Sequence, residues 1–320
     1  MKLLALTALF FSWSVAFVSA QEPIFIVRDR TGMIKEGRIQ RMVSINSLEM
    51  LSSDEKSFLV ANPVYITRKN SVIPKFPQSK SLWLLNDDCM KFENLVMKDD
   101  SFEVESSDFV SGGKIQVPLV DTKMIWLKNP LGILDPNLSR SKMLGEIRSK
   151  DIIVLNNAER IDGVLESFAD KNMAFDSGAK KLEYNNDSIA VVALSSDENS
   201  KKEKRTEMVS LVLNSGARIT LSEFNFSEKI LEGITMQGIK VRIPFYKIRH
   251  AVFLGASVVR IQEIKNIKLI QSSFFETPKG VSPFQAVKNN DFFIAGSAYS
   301  NGFSTMGSSS VTFSLEGKYQ

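Results

Sequence analysis

The chain contains very little cysteine or histidine, the residues whose sulfur and nitrogen atoms most often bind zinc or take part in catalysis. It has one cysteine, Cys89, and one histidine, His250, in 320 residues. A single cysteine cannot form an intramolecular disulfide, and the two residues together cannot supply the four ligands of a closed zinc site. A Ser-His-Asp triad would have to use His250, and no G-x-S-x-G turn is present. We therefore expect no enzyme, no metal and no cofactor, with His250 structural and Cys89 buried.

The chain also lacks a strong excess of charge. There are 40 Lys and Arg against 36 Asp and Glu, which gives a net charge of +4, and the charges are evenly scattered. This balance argues against nucleic acid or an anionic membrane surface as a partner. The acidic pairs Asp87-Asp88 and Asp99-Asp100 do not continue into a D-x-D-x-D-G calcium loop, so we expect them in solvated turns.

A long apolar run occurs only at the start of the chain. Residues 3–18 are almost wholly apolar, Lys2 precedes them, and Val18-Ser19-Ala20 offers small residues for cleavage. This arrangement is typical of a secretory signal, and the run is short for a spanning helix, which needs ~20 residues. We expect a mature chain from Gln21, exported to the periplasm or the extracellular space, with no integral membrane span after cleavage.

Between residues 24 and 254 one pattern recurs four times, starting near residues 24, 82, 152 and 209. Each copy has a short apolar run, a polar turn, a strand that often carries glycine, and a closing apolar run preceded by proline. Apolar and polar residues alternate with period two, as in half-buried strands joined by tight turns. The pattern predicts four small β-units that resemble Sm-like or SH3-like sheets or partial barrels. At roughly 60 residues each unit has a marginal core, so neighbours should pack together.

The sequence thus divides into eight predicted segments. Pro130, Gly132 and Pro136 mark a linker with one helical turn, and a mixed charge run marks a solvated loop. The segments are a signal peptide (1–20), β-unit 1 (21–78), β-unit 2 (79–128), the linker (129–148), β-unit 3 (149–196), the charged loop (197–206), β-unit 4 (207–256) and a C-terminal segment (257–320).

The C-terminal segment carries the most specific motif of the chain. Residues 297–320 read S-A-Y-S-N-G-F-S-T-M-G-S-S-S-V-T-F-S-L-E-G-K-Y-Q. This resembles the motif Y-x-K-G-L-G-x-H-x-x-S-x-Φ-x-Φ-x-L-x-G-x-Y, with Φ apolar, of the novel putative carbohydrate-binding module, the NPCBM family. Met306 stands at the family's histidine and Ser304 at its second glycine. The residues in register are Tyr299, Gly302, Phe303, Thr305, Ser309, Val311, Phe313, Leu315, Gly317 and Tyr319.

The resemblance covers about residues 258–320 and implies the first half of a β-sandwich that recognises sugars. Because that module normally continues for several more strands, we expect a fragment, in which the strand at residues 311–315 has its partners beyond Gln320. The implied partner is a glycan or polysaccharide. The carbohydrate-binding candidates are Tyr299, Asn301, Ser304, Thr305, Met306 and Ser308.

Together these features predict an all-β chain: tandem small β-sheet or partial-barrel units followed by the first half of a β-sandwich. The expected function is that of an exported, non-enzymatic protein with a carbohydrate-binding module and a β-repeat scaffold. The alternative is a structural or assembly protein of the cell envelope, which contacts other envelope or secreted proteins through its β-repeats and has a vestigial module. Both alternatives stay open from the sequence.

Overall fold

The chain folds into antiparallel sheets, one of which connects 18 strands, and this confirms the predicted all-β fold. The computed structural model describes residues 22–110, 113–196, 207–227 and 229–255, and further on the backbone of six short strands between residues 267 and 313. None of the sheets closes into a barrel within these described residues.

Unit 1 sets the pattern for all four units. Its strands are β1 (Phe25–Asp29), β2 (Ile34–Ser44), β3 (Ser47–Leu51), β4 (Ser57–Ala61) and β5 (Pro63–Arg68). The first four strands form a meander, and β5 returns to pair with the free side of β1. The order across the sheet is therefore fifth, first, second, third, fourth.

Unit 2 has the same order, but its second strand is broken in two. β6 pairs with β7 and with the last strand, β11, while β8, β9 and β10 form a separate three-stranded sheet. A single 3-10 turn lies between β10 and β11, directly after Pro118, which cannot donate to a ladder. The strands are β6 (Ser81–Leu84), β7 (Cys89–Lys91), β8 (Asn94–Lys98), β9 (Ser101–Glu105), β10 (Lys114–Pro118) and β11 (Thr122–Trp126).

Unit 3 repeats the pattern with a continuous second strand. Gly163 lies in this strand, and a Cβ placed there would lie 2.2 Å from the Asp176 carbonyl oxygen, so only glycine permits this close approach. A 3-10 turn again precedes the fifth strand. The strands are β12 (Asp151–Leu155), β13 (Arg160–Phe168), β14 (Asn172–Asp176), β15 (Lys181–Asn185) and β16 (Ile189–Ala193).

Unit 4 is the most regular copy. Pro244 ends its fourth strand and a 3-10 turn leads into the fifth strand, as in unit 2. Its second strand also forms one bridge to unit 2, between Arg218 and Cys89. The strands are β17 (Met208–Leu213), β18 (Arg218–Ser227), β19 (Ile230–Thr235), β20 (Lys240–Pro244) and β21 (Ile248–Leu254).

The units join through their fifth strands, in two separate pairs. β11 of unit 2 lies antiparallel to β16 of unit 3, and Ile125 faces Val192. β5 of unit 1 lies antiparallel to β21 of unit 4, and Ile66 faces Ala251. The pairing is therefore nested, with units 2 and 3 joined inside the pair formed by units 1 and 4. Each joint covers two strands that would otherwise be sheet edges with unpaired backbone groups.

The predicted linker contains a ten-residue helix, α1 (Pro136–Gly145), and not the single helical turn expected from its prolines. The Asp135 side chain caps it by accepting a hydrogen bond from the Leu138 N–H at 3.0 Å, and Pro136 occupies the first turn, where a missing N–H costs nothing. Met143 on this helix joins Trp83, Met124 and other residues in a second apolar cluster, separate from the main core.

In the part of the C-terminal segment that the structure describes, the strands form three two-stranded sheets. The strand at the predicted motif is not left without partners, as the sequence suggested: it pairs with an earlier strand, and Val311 faces Leu269. The pairs are β22 (Ile267–Ser272) with β27 (Ser308–Phe313), β23 (Ser282–Pro283) with β26 (Phe303–Ser304), and β24 (Phe292–Ile294) with β25 (Ser297–Tyr299).

No helix within the described residues is both long enough and apolar enough to cross a bilayer.

Candidate functional site

The predicted carbohydrate-binding residues fall only partly within the described structure. Tyr299 is the last residue of β25, Ser304 the last of β26 and Ser308 the first of β27. Each therefore lies where a strand meets a connecting segment. Asn301, Thr305 and Met306 lie outside the described residues, as does the predicted charged loop. The strand pairing does not join β25, β26 and β27 to one another.

A groove of about 580 Å³ lies between unit 2 and unit 3. Phe92, Leu95 and Phe168 lie at its base and are nearly fully buried. Sugar-binding sites commonly present an exposed aromatic face to the ring of the ligand, and these two rings present none. The residues lining the groove are Lys80, Phe92, Glu93, Leu95, Leu127, Lys128, Phe168, Asp170, Lys171, Asn185, Asn186 and Asp187.

The rim of the groove is polar and carries both signs of charge. Lys128 bridges the two units by donating from Nζ to the Asp187 carbonyl oxygen at 2.6 Å. Asn186 donates from Nδ2 to the Asp170 carbonyl oxygen at 3.0 Å, while its buried Oδ1 accepts no hydrogen bond within the described structure. Lys171 is exposed at the edge. This surface can form hydrogen bonds and ion pairs with a polar ligand or with the surface of another protein.

A second cluster of polar side chains is buried where the units meet. Arg140 of α1 is 3% exposed, and its guanidinium carbon lies 5.2 Å from the Trp83 ring centroid and 5.7 Å from that of Trp126. Its Nη1 also donates to the Pro77 carbonyl oxygen at 3.0 Å. Aromatic faces and carbonyl oxygens thus replace the water that this cation loses on burial.

Arg218 of β18 holds the same connecting segment from the side of unit 4. It donates to the Pro74 carbonyl oxygen at 2.6 Å, and its guanidinium lies 4.7 Å from the Phe76 ring centroid. Gly216 has φ +90°, and a Cβ there would lie 2.0 Å from the Lys75 carbonyl oxygen. Two arginines and one glycine therefore fix the segment that connects units 1 and 2.

Asp88 links unit 2 to unit 4 and corrects one expectation from the sequence. It was expected in a solvated turn, but it is only 4% exposed. Its carboxylate accepts hydrogen bonds from the Thr220 N–H at 2.8 Å and the Thr220 hydroxyl at 2.9 Å. Its neighbour Asp87 is exposed in a turn, with φ 67°, as expected. The Asp99-Asp100 pair is also exposed.

The only cysteine and the only histidine both pack at joints between units. Cys89 is fully buried, as expected, and burial raises the pKa of its thiol to about 12 despite the nearby charges of Arg218 and Arg140. His250 faces Thr67 in the ladder between units 1 and 4. Burial, and then the charge of Arg218, lower the pKa of His250 to about 4. Both side chains are therefore neutral at pH 7. A neutral thiol is a poor nucleophile.

Groups of three or more His, Cys, Asp or Glu able to hold a metal ion are absent from the described part of the chain. The groove and the buried arginines were not predicted from the sequence. Turn signals such as Asn185-Asn186-Asp187 mark a loop in the sequence, but they do not show which lysines of another unit lie beside it.

Comparison with known proteins assigns the chain to no family. The chain matches no protein-family model, and searches of curated proteins and of solved structures found no match.

Proposed function

We propose that the chain is an exported, non-enzymatic protein in which four β-units form a scaffold for a glycan-binding segment at residues 257–320. The observation that carries the scaffold role is the placement of the chemically versatile side chains. Cys89 and His250 lie where strands of different units pair, and Arg140 and Arg218 bind the segment that connects units 1 and 2. Because these residues connect units, their placement supports a scaffold that presents a binding segment more than it supports catalysis.

The glycan-binding role rests on the motif and on the position of its residues. β22 pairs with β27 over six residues, which brings the start of the segment alongside the motif strand. Tyr299, Ser304 and Ser308 lie at strand ends. Binding residues commonly lie on loops and at strand ends that a sheet positions. The resemblance to the NPCBM family supplies the ligand class, terminal sugars on a polysaccharide or glycoprotein.

The test uses the mature chain, residues 21–320, on a glycan array and in affinity gels that contain polysaccharide. We expect retention on at least one glycan and at least tenfold weaker binding by Tyr299→Ala, because a ring under a sugar supplies much of the contact area. Tyr246→Ala, which removes an exposed tyrosine of unit 4, is the matched control and should bind normally. Equal retention of Tyr299→Ala and the wild type would exclude this site.

A second function, assembly within the cell envelope through the β-units, is favoured by the groove between units 2 and 3. The rim of the groove has exposed charges, and its aromatic rings are covered. These properties fit binding of another protein's surface better than binding of a sugar. Under this alternative, Lys171→Glu weakens crosslinking to envelope proteins while glycan retention is unchanged. Lys240→Glu, an exposed lysine of unit 4, serves as the control for charge. Unchanged crosslinking in Lys171→Glu would remove this second function.

A further inference from the structure

Two arginines lie near each other at one end of the joint between units 1 and 4. In the ladder between β5 and β21, His250 faces Thr67 and Ala251 faces Ile66. Arg68 and Arg249 are the next residues along the two strands, beyond the last pair of the ladder and at a point where β21 bulges against β17. Both side chains are partly exposed. They lie close enough that the charge of Arg249, after the larger effect of burial, lowers the pKa of Arg68.

Neither arginine forms an ion pair with a carboxylate in the described part of the chain. Arg68 donates one hydrogen bond, from Nη1 to the Tyr246 carbonyl oxygen at 3.4 Å. The nearby carboxylate of Glu36 is paired with Lys69. Like charges that lie close together on neighbouring strands repel each other. The pair therefore costs stability in the free protein.

The equivalent joint between units 2 and 3 shows that the architecture does not require these charges. There, Ile125 faces Val192 as Ile66 faces Ala251. The positions that correspond to Arg68 and Arg249 are held by Leu127, one residue past the end of β11, and by Ala190 of β16. The Leu127 N–H donates to the Ala190 carbonyl oxygen at 2.9 Å, so the ladder continues with uncharged side chains.

The surroundings of the pair add further donors and one more cation. Tyr246 is 57% exposed, and Lys247 Nζ lies 5.7 Å from its ring centroid. Asn214 donates from Nδ2 to the Tyr246 carbonyl oxygen at 3.1 Å. This fixes the backbone oxygen that also accepts from Arg68.

We propose that Arg68 and Arg249 form a binding site for a phosphate group. Two planar guanidinium groups present forked donors that match the oxygens of a phosphate, and two positive charges match its two negative charges. A bound phosphate converts the repulsion between the arginines into two attractions. The phosphate comes either as the free ion or as the monoester of a phosphorylated sugar. The site does not depend on the glycan-binding role of residues 257–320.

The experiment measures the melting temperature and the phosphate affinity of the mature chain. Inorganic phosphate is compared with chloride at equal ionic strength, and glucose 6-phosphate forms a second arm. We expect phosphate to raise the melting temperature of the wild type and Arg249→Gln to weaken phosphate binding at least tenfold. Arg242→Gln, which removes an exposed arginine of the same unit paired with Glu232, should keep the response.

Arg249→Glu separates a binding role from a structural one. It replaces the repulsion with an ion pair to Arg68, so its melting temperature in chloride should be at or above that of the wild type, while its response to phosphate is lost. Tighter binding of glucose 6-phosphate than of inorganic phosphate identifies a monoester as the ligand, and equal binding identifies the free ion. The proposal is overturned if phosphate acts no differently from chloride, if Arg249→Glu keeps the response, or if Arg249→Glu melts below the wild type.

Discussion

Replacing Asp88 with alanine should cost more stability than replacing its exposed neighbour Asp87 with asparagine. The Asp88 carboxylate is buried and accepts two hydrogen bonds from Thr220, one from the N–H and one from the hydroxyl, at 2.8 and 2.9 Å. Alanine would leave both donors buried without this acceptor. Each such donor costs ~1–3 kcal/mol. We therefore expect Asp88→Ala to lower the free energy of unfolding by about 4 kcal/mol.

Thr220→Val distinguishes the contributions of the two hydrogen bonds to stability. It removes the hydroxyl but keeps the N–H bond to Asp88, so we expect a loss of about 1 kcal/mol. Denaturant unfolding of the mature chain, followed by circular dichroism and by tryptophan fluorescence, measures both values. The double variant should show a coupling of about 1 kcal/mol between the two positions, because the residues share a bond.

The control for Asp88→Ala is Asp87→Asn. Asp87 is exposed with φ 67°, a conformation that asparagine tolerates, so the change should stay within about 0.5 kcal/mol. A loss below about 1 kcal/mol for Asp88→Ala would refute the reasoning, because it would mean that Thr220 finds other acceptors or that the bonds between units 2 and 4 do not hold in solution.

Two further predictions follow from the buried joints. Cys89, with a thiol pKa of about 12 and no exposed surface, should resist maleimide at pH 8 in the folded protein and react fully in guanidinium chloride; rapid labelling of the native chain would contradict its burial. For His250 the pKa of about 4 in the folded chain lies below the ordinary histidine value of 6.5, so the unfolded chain binds the proton first as the pH falls. Stability should be complete above about pH 6.5 and fall as the pH drops toward 4, and His250→Gln should flatten this dependence; an unchanged profile in that variant would show that other groups cause it.

Alternation of apolar and polar residues predicted the all-β fold, because period two leaves a clear pattern wherever one face of a strand is buried. The strands with the weakest alternation were not predicted from the sequence. β15 reads KLEYN and its residues are all exposed or only partly buried, so it looks like a loop. The second strand of unit 2 is short and broken near Phe92, where the chain passes from one sheet to another. Hydrogen bonds to neighbouring strands define such segments, and a single sequence does not show them.

Among the candidate sites, too, the sequence predicted some features and missed others. Burial of Cys89 could be predicted because its sequence neighbours supply little positive charge, and it remains buried although Arg140 and Arg218, distant in sequence, lie near it. Asp88 was misjudged because two adjacent acids usually mark a turn, and here the second of them meets Thr220 of another unit. The groove and the arginine pair join residues from two units, so no local motif could indicate them.

Local sequence pattern accounts for the strands, the turns and the four-fold repetition, since those depend on contacts between residues near one another in the chain. The choice of partners is a different matter. Unit 1 pairs with unit 4, outside the pair formed by units 2 and 3, and this brings Arg68 near Arg249. The pairing depends on which fifth strands meet. Four similar edges allow several pairings, and the fit of whole surfaces, including the helix and the connecting segment held by two arginines, selects one of them.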